Sequence, residues 1–443
     1  MSGLMAHPRS FPRAASFAAI LHLFDRHDEQ WQRGRLWGPM QALVATFALV
    51  EPGRATSYQS ACATANAWAG RLFDWDPVHA PDPAGFKRAR DRVEEAESSA
   101  LLRSAQDLAH RSVRARKKRH LCGLPVIAFD GSTLHMPRSP ELVREYGVPK
   151  DSLGLETCHY PQARLMSAWD LERRIPIAWE LGSYTDGERA MALDLLSHVP
   201  RGAVCVFDRG FPSREFFGEI LNSGRHFVAR MVSSEAAAWA EVTAFLKSGR
   251  RDAIVTVWVG TGEFRRQVRV RLILRSFDRG RPCKHQKRET MVIITSLTNA
   301  PLSARDLCRL YGERWGIETL YREMKAVAKI EQWHGRSKAL VRQELILLLV
   351  WFCFAAIFAT AACCSRSAVA GIQVEWRANT RRVFEAIASV MDAMLALLVD
   401  PQSAGELIRR ADAAILCMCR WLLRRRPGRS FPRVPLHPYA RRL

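Results

Sequence analysis

The amino-acid sequence predicts an α/β protein with a mixed sheet flanked by helices, and three observations support this class. Near Leu124 a mostly helical pattern gives way to strand-like patterns. Three strand-like segments come first, and a helix, a strand and a second helix then alternate. In chain order these segments are 125–130, 163–171, 175–182, 188–198, the strand that ends at Asp208, and 213–223. This order is that of a ribonuclease-H-like fold.

Helical patterns dominate on both sides of this region. Residues 1–118 are mostly helical, and Pro81-Asp82-Pro83 marks a loop before a charged helix that starts near Phe86. Residues 366–443 form a second helical region, which ends in a basic tail. The pattern of the first region shows no clear helix-turn-helix.

The stretch between Asp208 and Glu318 is too long for a single helical connection. The two acids lie 110 residues apart, and segments 254–259 and 268–274 between them are strand-like. We therefore predict a β-rich insertion at 232–290. A further strand at 291–297 would return the chain to an α/β domain made of residues 119–231 and 291–365.

The charge of the chain indicates a polyanionic partner. Its formal net charge is +22, which in a soluble protein usually indicates nucleic acid. Basic residues concentrate in segments 111–120 and 279–288 and in the tail, where eight Arg lie from Arg420 to Arg442 and no acid follows Asp412. These segments fit arms that contact phosphates, and they equally fit solvated linkers or tails.

Several other classes of protein find little support. The eleven cysteines include no Cys-x-x-Cys pair, which fits free thiols in a reducing cytoplasm. Residues 345–364 carry no charge and are long enough to span a bilayer, but Ala, Cys and Thr in their second half favour a core helix. No phosphate-binding loop of the Gly-x4-Gly-Lys type appears, so nucleotide hydrolysis is not expected.

A polar stripe is predicted on a helix that covers residues 311–325. At about 100° per residue, Tyr311, Arg314, Glu318 and Lys325 fall within roughly 60° of one another. An apolar face made of Ile317, Leu320, Met324 and Val327 lies apart from them. The stripe fits a solvated helix face, and it also fits a site in which an acid holds a metal and the other groups hold phosphate.

Two aspartates extend the second interpretation. Val126-Ile-Ala-Phe-Asp130-Gly and Val204-Cys-Val-Phe-Asp208-Arg-Gly each place an Asp after a short apolar run, at the predicted exposed end of a buried strand. Such an Asp is most often a turn or cap residue. Together with Glu318, however, the pair forms a three-carboxylate set that suits two hard cations. The rival acids Glu313 and Glu323 fall off the stripe.

These motifs resemble those of the DDE transposases of bacterial insertion sequences, in the insertion-sequence-four family. Tyr311, Arg314, Glu318 and Lys325 match its Tyr-x2-Arg-x3-Glu-x6-Lys signature at the same spacing. Asp130-Gly-Ser-Thr and Asp208-Arg-Gly-Phe resemble its first and second catalytic blocks, and the stretches around Arg164 and Glu188 also look like the family. The resemblance covers about residues 120–335.

The resemblance implies metal-dependent cutting and joining of DNA, with residues 1–118 as a helical DNA-binding region. Asp130, Asp208 and Glu318 would hold two Mg²⁺ ions, and Mn²⁺ would substitute. Tyr311, Arg314 and Lys325 would bind the phosphate beside the cleavage point. Trp315 fits either stacking on an unpaired base or packing at the edge of the core. Arg209 fits either a phosphate contact or a pair with a metal-binding carboxylate.

The expected partner is double-stranded DNA, namely the terminal inverted repeats of the element and its target. Because two ends must be handled together, we expect a homodimer on DNA, in the cytoplasm, with no membrane or nucleotide partner. Two alternatives remain open from the sequence. One is a DNA-binding remnant that no longer catalyses, and the other is a nuclease of the same fold that the host has adopted.

Overall fold

The structure is a computed structural model that describes residues 37–53, 57–70, 82–113, 123–232, 239–277, 289–298, 301–370, 376–396 and 404–424. The predicted basic arm at 279–288 and the part of the basic tail after residue 424 lie outside these residues, as does most of the arm at 111–120. The chain forms two compact units. The first takes its described residues from 1–116, 130–198 and 316–424, and the second takes its described residues from 117–129 and 199–315.

Helices make up most of the elements. They are α1 (Pro39–Leu49), α2 (Tyr58–Ala69), α3 (Pro83–Arg90), α4 (Glu95–Ser112), α5 (Pro140–Tyr146), α6 (Glu188–Asp194), α7 (Arg214–Asn222), α8 (Ala240–Lys247), α9 (Ala304–Glu313), α10 (Trp315–Arg322), α11 (Lys338–Ala370), α12 (Thr380–Ala388), α13 (Met391–Ala396) and α14 (Ala404–Cys419). A 3₁₀ turn at Leu195–His198 continues α6, and a π-helical turn at Glu323–Val327 continues α10.

The strands are β1 (Val126–His135), β2 (Gln162–Asp170), β3 (Ile175–Ser183), β4 (Val204–Phe207), β5 (His226–Met231), β6 (Asp252–Val259), β7 (Arg266–Phe277) and β8 (Glu289–Thr295), with a short pair β9 (Trp376–Arg377) and β10 (Leu423–Arg424). Strands β1 to β8 form one sheet in the order β3-β2-β1-β4-β5-β8-β7-β6. Strand β4 is parallel to β1 and β5, whereas the pairs β2/β3, β5/β8, β7/β8 and β6/β7 are antiparallel.

This mixed sheet with flanking helices confirms the predicted α/β class and is compatible with a ribonuclease-H-like fold. Strand β1 is longer than predicted, because it continues past Asp130 to His135. The described part of segment 232–290 contains helix α8 as well as strands β6 and β7. Its role as a separate insertion stays a prediction.

Helix α11 is the core helix of the first unit, as the sequence predicted. It is long and apolar enough to cross a membrane, but 89% of its most apolar window is buried inside the protein. Helices α1, α4, α12 and α14 and strand β3 all contact it. The Trp351 indole stacks on the Phe47 ring of α1, with centroids 4.4 Å apart, and Nε1 of Trp351 donates to the Phe47 carbonyl at 3.1 Å.

In the second unit, phenylalanines pack against the parallel strands. Phe129 stacks on Phe207 with ring centroids 5.0 Å apart, and Phe217 of α7 stacks on Phe227 of β5 at 3.9 Å. All four are fully buried. This packing fixes the end of β4, where the chain emerges at Asp208.

Candidate active site

Asp208 lies directly after β4, at the position predicted from the sequence. The four residues of β4 are buried, whereas Asp208 is half-buried and Arg209 is exposed. One carboxylate oxygen of Asp208 accepts a hydrogen bond from the Gly210 amide at 2.7 Å, which closes the turn after the strand. The short apolar run therefore holds an acid at the surface end of a rigid strand.

Tyr311 and Arg314 belong to the surroundings of Asp208. Tyr311, in the last turn of α9, and Arg314, between α9 and α10, are only 5% and 8% exposed, so a solvated helix face is the wrong interpretation for these two residues. The Arg314 side chain hydrogen-bonds to the Tyr311 hydroxyl. The pKa of Tyr311 lies above its ordinary value, mainly because the side chain is buried. The charge of Asp208 also raises this pKa, whereas the cations Arg314 and Arg230 lower it.

Arg230 is a site residue that the sequence analysis missed. It lies on β5, which pairs directly with β4, and its charge acts on Tyr311. Its signal in the sequence was weak, because it stands as a single cation within an apolar strand without a recognisable motif. Asp208, Tyr311, Arg314 and Arg230 together form one cluster of the second unit, which we call the Tyr311 cluster.

Trp315 follows Arg314 directly. Its side chain is 63% exposed, so packing at the edge of the core is the wrong interpretation for this residue. The Arg314 guanidinium carbon lies 5.7 Å from the centroid of the indole. An exposed indole beside a guanidinium presents a flat surface on which a base can stack.

Asp130 belongs to the first unit and differs from its prediction in one respect. It was expected at the exposed end of a strand, but it lies within β1, which continues for five residues beyond it. Burial nevertheless changes here, since Val126 to Phe129 are buried and Asp130 is half-buried. One of its carboxylate oxygens accepts from the Gly131 amide at 3.1 Å.

Glu188 is a second acid close to this position. A Cβ atom added to Gly131 would lie 2.8 Å from a Glu188 carboxylate oxygen, so the glycine leaves room for the glutamate. The same oxygen is 3.9 Å from Nε of Arg164 on β2. The stretches around both residues resemble the family, but the sequence alone assigns neither residue a role. Their proximity to Asp130 depends on the pairing of distant segments, which no local pattern shows.

Glu318 and Lys325 lie on α10 and on the π-helical turn after it. Glu318 is half-buried in the first turn of α10. The Lys325 ammonium donates to the Thr133 carbonyl of β1 at 2.6 Å. Ile317, Leu320 and Met324 are buried as predicted, whereas Val327 is only half-buried.

The prediction of one regular helix at 311–325 is wrong. A turn at Arg314 separates α9 from α10, and the π-helical turn at Glu323–Val327 changes the angle per residue, so a 100° wheel does not describe Lys325. Glu323 is buried within this turn and pairs with Arg174 at 2.5 Å and Arg377 at 2.9 Å. It therefore holds the turn in place and is a structural acid.

The acids offer oxygen ligands, which hard divalent cations prefer. Within the described residues, however, no group of three or more His, Cys, Asp or Glu side chains lies close enough to hold a metal ion. Mg²⁺ is usually bound by one or two carboxylates together with substrate phosphates, rather than by a cage made of protein alone. Asp130, Asp208 and Glu318 are each half-buried, so none of the three carboxyl groups is fully enclosed by the protein.

Comparison with known proteins identifies the class. Residues 122–353 match the family model described as a transposase DDE domain. Since the match covers more than half of the chain, the protein belongs to this family of transposases, which generally use divalent metal ions. The predicted resemblance to insertion-sequence transposases is thereby confirmed.

Two curated relatives come from Escherichia coli strain K12. The chain is 26% identical over 276 residues to the transposase InsG for insertion sequence element IS4, covering 59% of this chain and 58% of that protein. It is 29% identical over 144 residues to the putative transposase InsZ, covering 32% of this chain and 47% of that protein. The chain thus spans about half the length of the curated relatives that it matches.

Proposed function

We propose that the protein is a transposase that cleaves DNA at the terminal inverted repeats of an insertion sequence and joins the ends to target DNA. The observation that carries the proposal is the Tyr311 cluster, in which Asp208 lies among Tyr311, Arg314 and Arg230. A carboxylate beside a phenol and two guanidinium groups suits a phosphodiester and its metal ion. The family match across residues 122–353 supports the same chemistry.

Each residue of the signature receives a role in this proposal. Asp130, Asp208 and Glu318 bind divalent cations, with Mg²⁺ as the natural ion and Mn²⁺ as its substitute. When bound, such ions would supply Lewis-acid assistance to the attacking and the leaving oxygen. Arg314 binds a phosphate oxygen with its guanidinium, and Tyr311 orients that guanidinium through their hydrogen bond.

The surrounding side chains extend the contact to DNA. Trp315 stacks on an unpaired base near the cut, and its 63% exposure supports that role. Arg209, exposed beside Asp208, contacts a neighbouring phosphate, as does Lys325. The protein acts on double-stranded DNA in the cytoplasm, and a homodimer holds the two ends of the element.

Cleavage of a labelled duplex tests the proposal. The duplex carries the DNA that flanks the gene, and cutting is measured in Mg²⁺ and in Mn²⁺ with the wild type and the Asp208→Ala variant. We expect cutting at the boundary of the element, and its loss in the variant, because a cation ligand is gone. DNA binding should persist in both proteins, since binding depends mainly on basic residues.

Glu219→Ala is the matched control. Glu219 is an exposed acid on α7 in the same unit, so its loss should leave cutting unchanged. Equal activity of the Asp208→Ala and Glu219→Ala variants would contradict the assigned site. Binding without cutting by the wild type in both metals would contradict the proposed activity and favour a DNA-binding remnant.

A further inference from the structure

The Tyr321 hydroxyl joins the two chain segments that carry Asp130 and Glu318. It lies 2.5 Å from the Asp130 carbonyl oxygen on β1 and 2.7 Å from Oγ of Ser167 on β2. The Leu165 carbonyl of β2 is 3.4 Å away. Tyr321 itself belongs to α10, three residues after Glu318, so the two side chains leave neighbouring faces of that helix.

The direction of these hydrogen bonds follows from the donors. Nε1 of Trp169 can only donate, and it donates to Oγ of Ser167 at 2.9 Å. The Asp130 and Leu165 carbonyls can only accept, and the single Tyr321 proton goes to the nearer of them, that of Asp130. Ser167 then donates its own proton to the Tyr321 oxygen. In this series of hydrogen bonds, which runs from Trp169 through Ser167 and Tyr321 to Asp130, each donor thus has one defined acceptor.

The side chains that form these hydrogen bonds are buried. Trp169 is fully buried, Ser167 is 2% exposed and Tyr321 is 7% exposed. Water therefore competes little for the hydrogen bonds of these three side chains.

We propose that Tyr321 is a positioning residue of the reaction. Its hydroxyl fixes the backbone of Asp130 against α10, so that Asp130 and Glu318 keep one relative placement for a divalent cation and the scissile phosphate. This inference rests on the proposed function. Small displacements of reacting groups are costly, because a shift of about 1 Å can lower a rate about 100-fold.

Tyr321→Phe tests the role, because it removes the hydroxyl and keeps the ring. We expect the single-turnover cleavage rate at saturating DNA to fall about 10- to 100-fold. The dissociation constant for the same duplex, measured without divalent metal, should stay within about twofold, since Tyr321 is buried and supplies no phosphate contact. The Mg²⁺ concentration for half-maximal rate should rise.

Tyr146→Phe is the matched control. Tyr146 is another fully buried tyrosine of the first unit, and within the described residues its hydroxyl has no hydrogen-bond partner. Its loss should leave the rate and the metal requirement unchanged. Ser167→Ala serves as the second variant, and alone decides the question if Tyr321→Phe does not fold. We expect it to lower the same rate by a smaller factor, because Tyr321 keeps its bond with Asp130 but loses the donor that orients it.

Three results would overturn the inference, and they can be told apart. If the wild type cuts and Tyr321→Phe cuts equally fast, the positioning role is wrong while the proposed function stands. If Tyr321→Phe loses DNA affinity and rate by the same factor, the residue supports the fold alone. If the wild type does not cut in Mg²⁺ or Mn²⁺, the proposed function fails first, and no reaction remains for Tyr321 to serve.

Discussion

At the scale of single residues, the four signature side chains are held by the protein to different degrees. Tyr311 and Arg314 are buried and bonded to each other, so their geometry exists before DNA arrives. Lys325 is instead half-buried and donates to a carbonyl of β1. An ammonium group can keep such a bond and still approach a phosphate, because it carries three donors.

Replacing Lys325 separates the two possible uses of this side chain. If Lys325 contacts a phosphate, Lys325→Ala should weaken binding of the DNA end and reduce the slope of log affinity against log salt concentration by about 1. Binding titrations over a range of salt concentrations measure that slope. Lys338→Ala, which removes a lysine paired with Glu145, is the control and should leave it unchanged. If Lys325→Ala has the same slope as the wild type, Lys325 has a structural role and does not contact a phosphate.

Glu344 is the residue whose charge the fold depends on most clearly. It lies on α11, is 3% exposed, and pairs with the buried Arg90 at 2.8 Å. The backbone amides of His334 and Gly335 also donate to it, at 3.0 and 2.8 Å. Burial alone would raise the pKa of Glu344, but Arg90 and His334 outweigh this effect and hold the pKa below its ordinary value of 4.5.

Glu344→Gln should therefore lower the free energy of unfolding by about 3–5 kcal/mol, because it leaves the Arg90 charge buried without its partner. The exposed pair of Arg382 with Glu385 gives a control, since Glu385→Gln should cost about 1 kcal/mol or less. Urea denaturation measures both. Because the folded pKa lies below the unfolded one, the stability from Glu344 is complete above about pH 5 and should decline as the pH falls further. A Glu344→Gln cost no larger than that of the control would contradict the buried charge pair.

At the scale of elements, the sequence predicted most of the sheet, because short apolar runs ended by turn residues are a local signal. Predicted strands at 163–171 and 175–182 correspond to β2 and β3 within about two residues. The extension of β1 past Asp130 was not predictable in this way. Residues 130–135 are mostly half-buried or exposed, and side chains from a distant segment, including Tyr321 and Lys325, bind their backbone.

The π-helical turn escaped prediction for a similar reason. Met324 and Val327 continue the apolar pattern of α10, so the sequence gives no local sign of irregularity. The turn is held by Glu323, whose partners Arg174 and Arg377 lie 149 and 54 residues away along the chain. An acid drawn inward by two distant cations cannot be recognised from helical periodicity, and neither can the approach of Glu188 to Gly131.

Helix α11 makes a prediction about stability at this scale. Trp351 is fully buried, stacks on Phe47 and donates to its carbonyl, so it joins α11 to α1. Trp351→Ala should cost about 3–5 kcal/mol of unfolding free energy through the cavity and the lost contacts. Trp421→Ala is the same substitution at a residue 51% exposed, and it should cost less than about 1 kcal/mol. Equal costs would mean that α11 does not form the core.

At the scale of the whole molecule, the excess of positive charge is distributed unevenly. Many arginines are neutralised by nearby acids, for example Arg381 and Arg382 by Glu385, and Arg409 by Glu406. The basic tail has no acid after Asp412, so its charge has no carboxylate nearby in sequence. Arginines of these two kinds should contribute differently to DNA binding, because binding gains from released counterions only where a cation replaces them at a phosphate.

Two triple variants with the same change in net charge test this difference. Changing Arg424, Arg425 and Arg426 to Ala should reduce the slope of log affinity against log salt concentration by up to about 3, because each phosphate contact contributes about 0.9. Changing Arg381, Arg382 and Arg409 to Ala should leave the slope nearly unchanged, since these arginines already pair with acids. Both slopes are read from binding titrations with one duplex between 50 and 200 mM salt. If the two variants lose the same slope, net charge alone governs binding, and the tail has no specific part in holding DNA.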